Sequence, residues 1–217
     1  MREIHNDGFP LSKKRNLNKR ANSCNQNGEN MPNKAVIIVD LLNDFVTGDL
    51  KTERAARIVP KLKNLIEAAR KHGVPVIYSN DAHYKHDFEV VRKWGGHAIK
   101  GTLGAQVIPE LAPREEDFIV EKRAYSGFYE TGLESLLRSL YGGEGVDNVI
   151  LGGLHTHICV RHTSADAFFR GYKITIASDG VEAFSQKDHE EGLKYLKEVY
   201  NAEIKTVDEI IEELEKM

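Results

Sequence analysis

Apolar residues in this chain form short continuous runs that alternate with segments of helical spacing. The runs are rich in β-branched residues and lie at 35–39, 74–79, 118–121, 148–151 and 173–177, with a candidate edge strand at 202–205. Such runs are typical of strands buried on both faces, as in a parallel sheet. Helical spacing occurs at 55–71, 130–140, 160–170, 187–200 and 207–215. The alternation predicts a three-layer α/β/α domain with a mostly parallel, Rossmann-like sheet of about six strands.

Two segments depart from this alternation. Residues 1–33 are polar, rich in Asn and Lys, and lack apolar periodicity. We interpret them as a disordered extension or a mis-assigned start, since Met31 directly precedes the first strand, and we assign the domain to 34–217. The second segment, 80–105, is long and irregular and contains four glycines. A loop of this length inside a compact domain is usually functional.

Composition narrows the classes of function. The chain has 217 residues and a formal net charge of -3, so it offers no basic field for nucleic acid or an anionic membrane. No apolar run approaches the roughly 20 residues that cross a bilayer, and no apolar segment follows the basic N-terminal residues as in a signal peptide. Only Cys24 and Cys159 could form a disulfide, and their contexts differ. We therefore expect a cytoplasmic protein in a reducing compartment.

Three reactive side chains follow strands of the predicted sheet. Asp40 ends the first strand, Lys122 follows the third, and Cys159 follows the fourth at the start of a helix. Taken singly, an Asp at the end of a strand is often a helix cap or turn former, and a Lys after a strand is usually solvated. A buried Cys usually serves only in packing and is chemically inert. Ligands of open parallel sheets bind beyond the carboxyl ends of the strands, where these three residues would meet. We expect the helix N-terminus and the ammonium to favour a Cys159 thiolate, and Asp40 to accept and return its proton.

Three motifs resemble those of the isochorismatase-like cysteine hydrolases, a family that includes nicotinamidases. Segment 39–45 (VDLLNDF) resembles the opening VDxxNDF motif, and segment 121–128 (EKRAYSGF), with Thr131 and Leu133, resembles the motif around the family's lysine. Segment 153–160 (GLHTHICV), with Thr163, Asp166 and Ala167, resembles the motif around the nucleophile. The match runs from about residue 35 to 185, and chance rarely produces three such motifs in order.

The resemblance implies an Asp-Lys-Cys triad at Asp40, Lys122 and Cys159. It also implies a cis peptide bond between Leu154 and His155, which would turn the N–H of His155 toward that of Cys159 to form an oxyanion hole. The expected reaction cleaves a small amide to an acid and ammonia through a thioester. Relatives commonly form dimers or tetramers, so we expect a homo-oligomer.

The same resemblance raises the possibility of a metal ion. Nicotinamidases carry Asp-x-His after the second strand and a later His near a Trp, and in those enzymes these residues bind zinc or iron. The matching residues in this chain are Asp81, His83 and His97. His86 is a candidate fourth ligand. The sequence departs from that pattern at Ala82 and Gly95, and 97–102 (HAIKGT) resembles metal-free relatives, in which His97 would be structural or would contact the substrate. Both alternatives stay open.

Aromatic residues near these motifs are candidates for the walls of a substrate site. Phe45, Trp94 and Tyr125 could enclose an aromatic substrate, although each could equally be ordinary core. His155 and His157 could be polar turn residues, or His157 could contact the substrate or a neighbouring subunit.

Nicotinamide is the leading substrate candidate, and a carbamoyl or ureido compound comes next. A metal-free hydrolase acting on another substrate is a further alternative. A vinyl-ether hydrolase would not need Cys159, and a binding module without activity would not need the whole triad. A flavodoxin-like nucleotide binder is excluded because no glycine-rich phosphate loop follows the first strand.

Overall fold

The computed structural model describes residues 32–48 and 50–217, so the prediction for residues 1–33 falls almost wholly outside the described residues. One sheet of six parallel strands forms the centre, in the order β3-β2-β1-β4-β5-β6. The strands are β1 (Lys34–Val39), β2 (Val76–Asp81), β3 (Phe118–Lys122), β4 (Asn148–Leu154), β5 (Lys173–Glu182) and β6 (Glu203–Lys205). The predicted fold class is confirmed.

Helices cover both faces of this sheet. They are α1 (Asn43–Val46), α2 (Glu53–Lys71), α3 (Leu133–Ser139), α4 (Cys159–Phe169), α5 (Gln186–Tyr200) and α6 (Val207–Glu215). Local sequence fixes several of their starts. The Thr52 and Ser185 side chains accept hydrogen bonds from the first turns of α2 and α5, and Thr206 with Glu209 forms a capping box at α6.

Strand β1 shows how the sheet separates two cores. Val36 and Ile38 pack on the face covered by α2 and α6, whereas Ile37 and Val39 pack on the face covered by α3, α4 and α5. All six residues of β1 are buried. This explains why the run 35–39 is apolar throughout instead of alternating. The chain runs from β1 toward β3 in one direction and from β4 toward β6 in the other. The point between β1 and β4 is where such sheets open a crevice for ligands.

The structure differs from the sequence prediction mainly at the ends of elements. β5 extends to Glu182 because it continues past an irregularity in its register opposite Leu151 and Gly153 of β4. α3 begins at Leu133 instead of 130, since Glu130 adopts a positive φ of 53° that a helix cannot include. The predicted long loop holds one π-helical turn at Val90–Trp94. No helix among residues 32–48 and 50–217 is both long and apolar enough to cross a membrane.

Candidate functional site

The three predicted catalytic side chains come together at the carboxyl edge of the sheet. Asp40 directly follows β1, Lys122 is the last residue of β3, and Cys159 is the first residue of α4, after β4. Lys122 Nζ lies 2.9 Å from Asp40 Oδ2, and the Cys159 Sγ lies within 4.8 Å of carboxylate oxygens of Asp40 and Asp81. All three residues are buried, yet Asp40 and Cys159 also line a pocket.

Asp81 joins this group, which the sequence analysis did not anticipate. It ends β2, between β1 and β3, and its carboxylate forms an ion pair with Lys122. Its backbone N–H donates to Asp40 Oδ1 over 2.8 Å. Four adjacent strands therefore supply the site: β2 and β3 through their last residues, β1 through the next residue, and β4 through the first residue of the helix that follows it. Asp81 also lies at the carboxyl end of a strand, the position that singled out Asp40, but the sequence analysis considered it only as a metal ligand.

The two carboxylates beside Lys122 have opposite electrostatic character. Burial, together with the charge of Asp81, raises the pKa of Asp40 to about 6 despite the nearby ammonium. Burial acts in the same direction on Asp81, but Lys122 and His83 outweigh it and lower the pKa of that carboxyl to about 2. Burial opposes the charge on Lys122, yet Asp40 and Asp81 hold its pKa well above the usual value. Near neutral pH, Asp81 is thus a fixed anion and Asp40 is a group able to exchange a proton.

The state of the Cys159 sulfur differs from the sequence expectation. Cys159 does begin a helix near Lys122, as predicted, and the ammonium favours its thiolate. Burial and the carboxylates of Asp40 and Asp81 are stronger, and they raise the pKa of the thiol well above its ordinary value. Lys122 favours the thiolate as expected, but it does not outweigh desolvation and the two carboxylates, so the expected preference for the charged form was wrong. The sulfur rests as a thiol beside a carboxylate that can accept its proton.

The turn between β4 and α4 leads directly into Cys159. The Leu154–His155 peptide bond is cis, as the family resemblance implied. Gly153 precedes it at φ 112°, so close to β1 that a Cβ at this position would lie 2.0 Å from the Val39 carbonyl oxygen. Within the described residues, the N–H groups of His155 and Cys159 have no hydrogen-bond acceptor. Neither N–H group is therefore engaged within the described part of the protein; their role as an oxyanion hole remains a prediction.

A pocket with mainly aromatic walls opens above Cys159. The predicted substrate-binding residues Phe45, Trp94 and Tyr125 all line it, and Trp94 Nε1 donates to the Tyr125 hydroxyl over 3.1 Å. The structure brings these three residues together, although their role remains a prediction. The other residues that line the pocket are Asp40, Leu50, Asp81, Glu89, His97, His155, Ile158, Cys159 and Phe184.

Three of these lining residues were missed as side chains of the pocket. The centroids of the His155 and Phe184 rings lie 4.1 Å apart, with 32° between the ring planes, and neither nitrogen of the His155 ring has a hydrogen-bond partner. Burial, with a smaller effect of His157, lowers the pKa of His155 to about 3, so the ring is neutral. Phe184 follows the carboxyl end of β5, a position at which ligand-binding residues are expected in such sheets. Glu89 is an acidic residue among Phe88, Val90 and Val91 in the long loop, a contrast that the sequence does display.

The predicted metal ligands Asp81, His83 and His97 also meet. Their ligand atoms lie within 4.8 Å of one another, and all three residues are buried. His97 Nδ1 lies 2.8 Å from the Gly95 carbonyl oxygen, which leaves Nε2 free to coordinate. The His83 Nε2 lies 3.6 Å from Asp81 Oδ2, and its Nδ1 lies 3.4 Å from Asp87 Oδ2, an outer carboxylate that would orient the ring. One carboxylate and two imidazoles placed in this way fit a divalent transition ion.

The other histidines lie outside this cluster. His86 is exposed and stacks on Tyr84 with 5.8 Å between ring centroids, so the structure does not support it as a fourth ligand. The His157 ring contacts Phe184 from outside the pocket lining, at 5.6 Å between centroids.

Comparisons with known proteins show what this chain is similar to. Residues 34–209 match the family model of the Isochorismatase domain. The crystal structure of N-carbamoylsarcosine amidase from Thermoplasma acidophilum is 42% identical and superposes with a TM-score of 0.74, covering 81% of this chain and 96% of that one. The nicotinamidase from Bacillus subtilis is 31% identical, with a TM-score of 0.74, covering 79% of this chain and 98% of that one.

A third similar structure contains zinc. The pyrazinamidase of Pyrococcus horikoshii, solved in complex with zinc, is 28% identical with a TM-score of 0.72. The match covers 81% of this chain and 99% of that one.

Proposed function

This chain belongs to the isochorismatase family, and from that premise we propose that it is a cysteine-dependent amidohydrolase that converts a small amide to an acid and ammonia. The observation that carries the proposal is the meeting of Asp40, Lys122 and Cys159 beneath an aromatic-walled pocket. Nicotinamide is the leading substrate, supported by the likeness to nicotinamidases and by the aromatic walls.

The first half of the reaction forms a thioester. As the Cys159 sulfur attacks the amide carbon, its proton passes to Asp40, whose pKa of about 6 suits a base near neutral pH. Lys122 stays charged and stabilises the anionic groups around it. The N–H groups of His155 and Cys159 would bind the oxyanion of the tetrahedral intermediate. The carbon–nitrogen bond then breaks as Asp40 returns the proton to the leaving nitrogen, and ammonia departs.

The second half releases the acid. Asp40, again ionised, removes a proton from a water molecule that attacks the thioester carbonyl. The carbon–sulfur bond breaks, and the sulfur regains a proton from Asp40. The cycle needs one group that both accepts and donates a proton, which Asp40 can do and the strongly acidic Asp81 cannot.

We further propose that Asp81, His83 and His97 hold a zinc or iron ion, since their ligand atoms lie within 4.8 Å of one another and His97 Nε2 is free to coordinate. When bound, such an ion supplies a Lewis acid that can orient a water molecule or a pyridine nitrogen. Asp81 would serve both the ion and Lys122, because one oxygen faces Lys122 and the other lies 3.6 Å from His83 Nε2.

A carbamoyl or ureido compound is the second candidate substrate. The likeness to N-carbamoylsarcosine amidase, at 42% identity, favours it. Such a compound presents the same carbonyl and amino group to Cys159, so the proton transfers would be unchanged; the intermediate would be a thiocarbamate, and its hydrolysis would give a carbamic acid that breaks down to carbon dioxide and an amine.

Ammonia release from nicotinamide and from N-carbamoylsarcosine, followed on the purified full chain, tests the function. We expect turnover of an amide by the wild type and a fall of at least about a thousandfold in Cys159→Ala. Phe169→Ala, an exposed substitution away from the pocket, is the matched control and should retain turnover. Full turnover in Cys159→Ala would remove the sulfur as the nucleophile.

A further inference from the structure

Glu89 places an unpartnered carboxylate in the pocket. Its side chain is half-buried, lines the pocket, and makes no hydrogen bond or ion pair within the described residues. Two cations follow it on the same segment but turn elsewhere. Arg92 lies over the Phe88 ring and Lys93 over the Trp94 ring. The charges that act on Glu89 are instead those of the site, chiefly Asp81.

The pocket is lined by acidic side chains and, among the described residues, by no basic side chain of lysine or arginine. Asp40, Asp81 and Glu89 line it, whereas no arginine or lysine does so in the part of the chain that the structure describes. Lys122 lies behind Asp40 and Asp81 and is already paired with both. With no ion at Asp81, His83 and His97, a substrate carboxylate would therefore meet no cation in the pocket, and desolvating an unpaired charge is costly.

The walls complement this charge. Trp94, Phe184 and Phe45 present aromatic rings, whose faces attract cations. The neutral His155 ring is 5% exposed and leaves both nitrogens without partners. Glu89 and His155 are thus two polar side chains in the pocket that nothing in the described protein satisfies. A ligand with hydrogen-bond donors would satisfy them.

We propose that Glu89 is a specificity-determining residue that selects amides with a positively charged group a few bonds from the carbonyl and disfavours amides with a carboxylate there. This inference rests on the proposed amidohydrolase function and narrows its substrate class. Among carbamoyl compounds it favours those that carry an amino group over carbamoyl amino acids. A neutral amide such as nicotinamide falls between the two.

Three amides that share one carbon skeleton and differ in their terminal group distinguish these cases. Butanamide ends in a methyl, β-alaninamide in an ammonium and succinamate in a carboxylate. Their kcat/KM values are measured with a chelator present, so that no metal ion adds charge to the pocket, and at about pH 8, above the pKa of about 7 to which burial and the charge of Asp81 raise Glu89. We expect β-alaninamide to be preferred over succinamate, and Glu89→Gln to reduce that ratio about tenfold. Glu89→Lys should reverse the preference. Glu116→Gln, an exposed carboxylate outside the pocket, is the control and should leave the ratio unchanged.

Binding of the same amides to Cys159→Ala, measured by calorimetry, separates this inference from the proposed function. A charge preference in binding without turnover by the wild type would sink the amidohydrolase and keep the role of Glu89. Turnover with equal kcat/KM for all three amides, or binding of none, would overturn the role of Glu89. Zinc content provides a second check. If Glu89→Gln loses zinc that Glu116→Gln retains, Glu89 is a metal ligand and the proposal is wrong.

Discussion

Lys122 Nζ lies 2.9 Å from Asp40 Oδ2, and both side chains are almost fully shielded from solvent. The contact does not make Asp40 a strong acid, because burial and the neighbouring Asp81 raise its pKa to about 6. Asp81 shares the same ammonium and has a pKa of about 2. One ammonium between two unequal carboxylates leaves a single proton-exchanging group next to the sulfur.

The pH dependence of catalysis should report Asp40. With a chelator present, kcat/KM for an uncharged amide should fall about tenfold per pH unit below about pH 6, because a protonated Asp40 cannot accept the thiol proton. A steady-state profile from pH 4 to 9 measures this, within the range where the protein stays folded. A profile that instead keeps rising through about pH 8 to 9 would indicate that thiol ionisation controls the rate.

Substitution of the two carboxylates should change stability in opposite directions. An unfolded Asp ionises near 3.8 but folded Asp40 ionises near 6, so stability is lost as the pH rises between these values. Asp40→Asn removes this loss and should be more stable at about pH 8, on the order of 1 kcal/mol, although inactive. Folded Asp81 ionises near 2, so its contribution is present above pH 4 and is lost as the pH falls toward 2. Asp81→Asn should therefore be less stable at about pH 8.

Urea unfolding of both variants at about pH 8 and about pH 4 measures these differences. Asparagine suits position 40, because Asp40 has a φ of 55°, which Asn tolerates better than most residues. A loss of stability in Asp40→Asn as large as in Asp81→Asn would contradict the argument, since it would make both carboxylates net stabilising.

Gly153 should tolerate no side chain. A Cβ there would meet the Val39 carbonyl oxygen at 2.0 Å, and the φ of 112° is one that L-residues rarely adopt. Gly153→Ala should thus separate β4 from β1 and cost about 3 kcal/mol or more. Gly96→Ala is the matched control, because a Cβ there meets nothing within 4 Å. Thermal unfolding compares the two, and a Gly153→Ala protein as stable as the control would refute the close approach.

Metal binding should depend on His97 and not on His86. We expect the purified protein, after incubation with zinc and gel filtration, to retain about one ion per chain. His97→Ala should lose most of this zinc because it removes one of three ligands, whereas His86→Ala should retain it because His86 is exposed on Tyr84. Elemental analysis gives the ratio. Equal zinc in wild type and His97→Ala would place the ion elsewhere.

Much of this architecture could be predicted because strand burial determines it. The run 35–39 is apolar on every residue, and only a strand covered on both faces requires that. Strand ends then indicated Asp40 and Lys122 at one edge of the sheet. The short helix α1 was missed, since four residues show no periodicity.

The electrostatics of the site could not be predicted in the same way. Whether Cys159 rests as a thiol depends on whether the favourable charge of Lys122 outweighs desolvation and the two carboxylates. That balance depends on distances, which the sequence does not contain. Glu89 was missed for a related reason: its position in the pocket depends on the path of an irregular loop, whereas strand-end residues follow the sheet.

A sulfur that remains protonated at rest has a consequence beyond catalysis. Peroxides and alkylating agents attack thiolates far faster than thiols, and the Cys159 thiol is also buried. The proposed nucleophile would therefore be protected from chance oxidation between turnovers, because in the proposed cycle it becomes reactive only when a carbonyl is in place and Asp40 takes its proton.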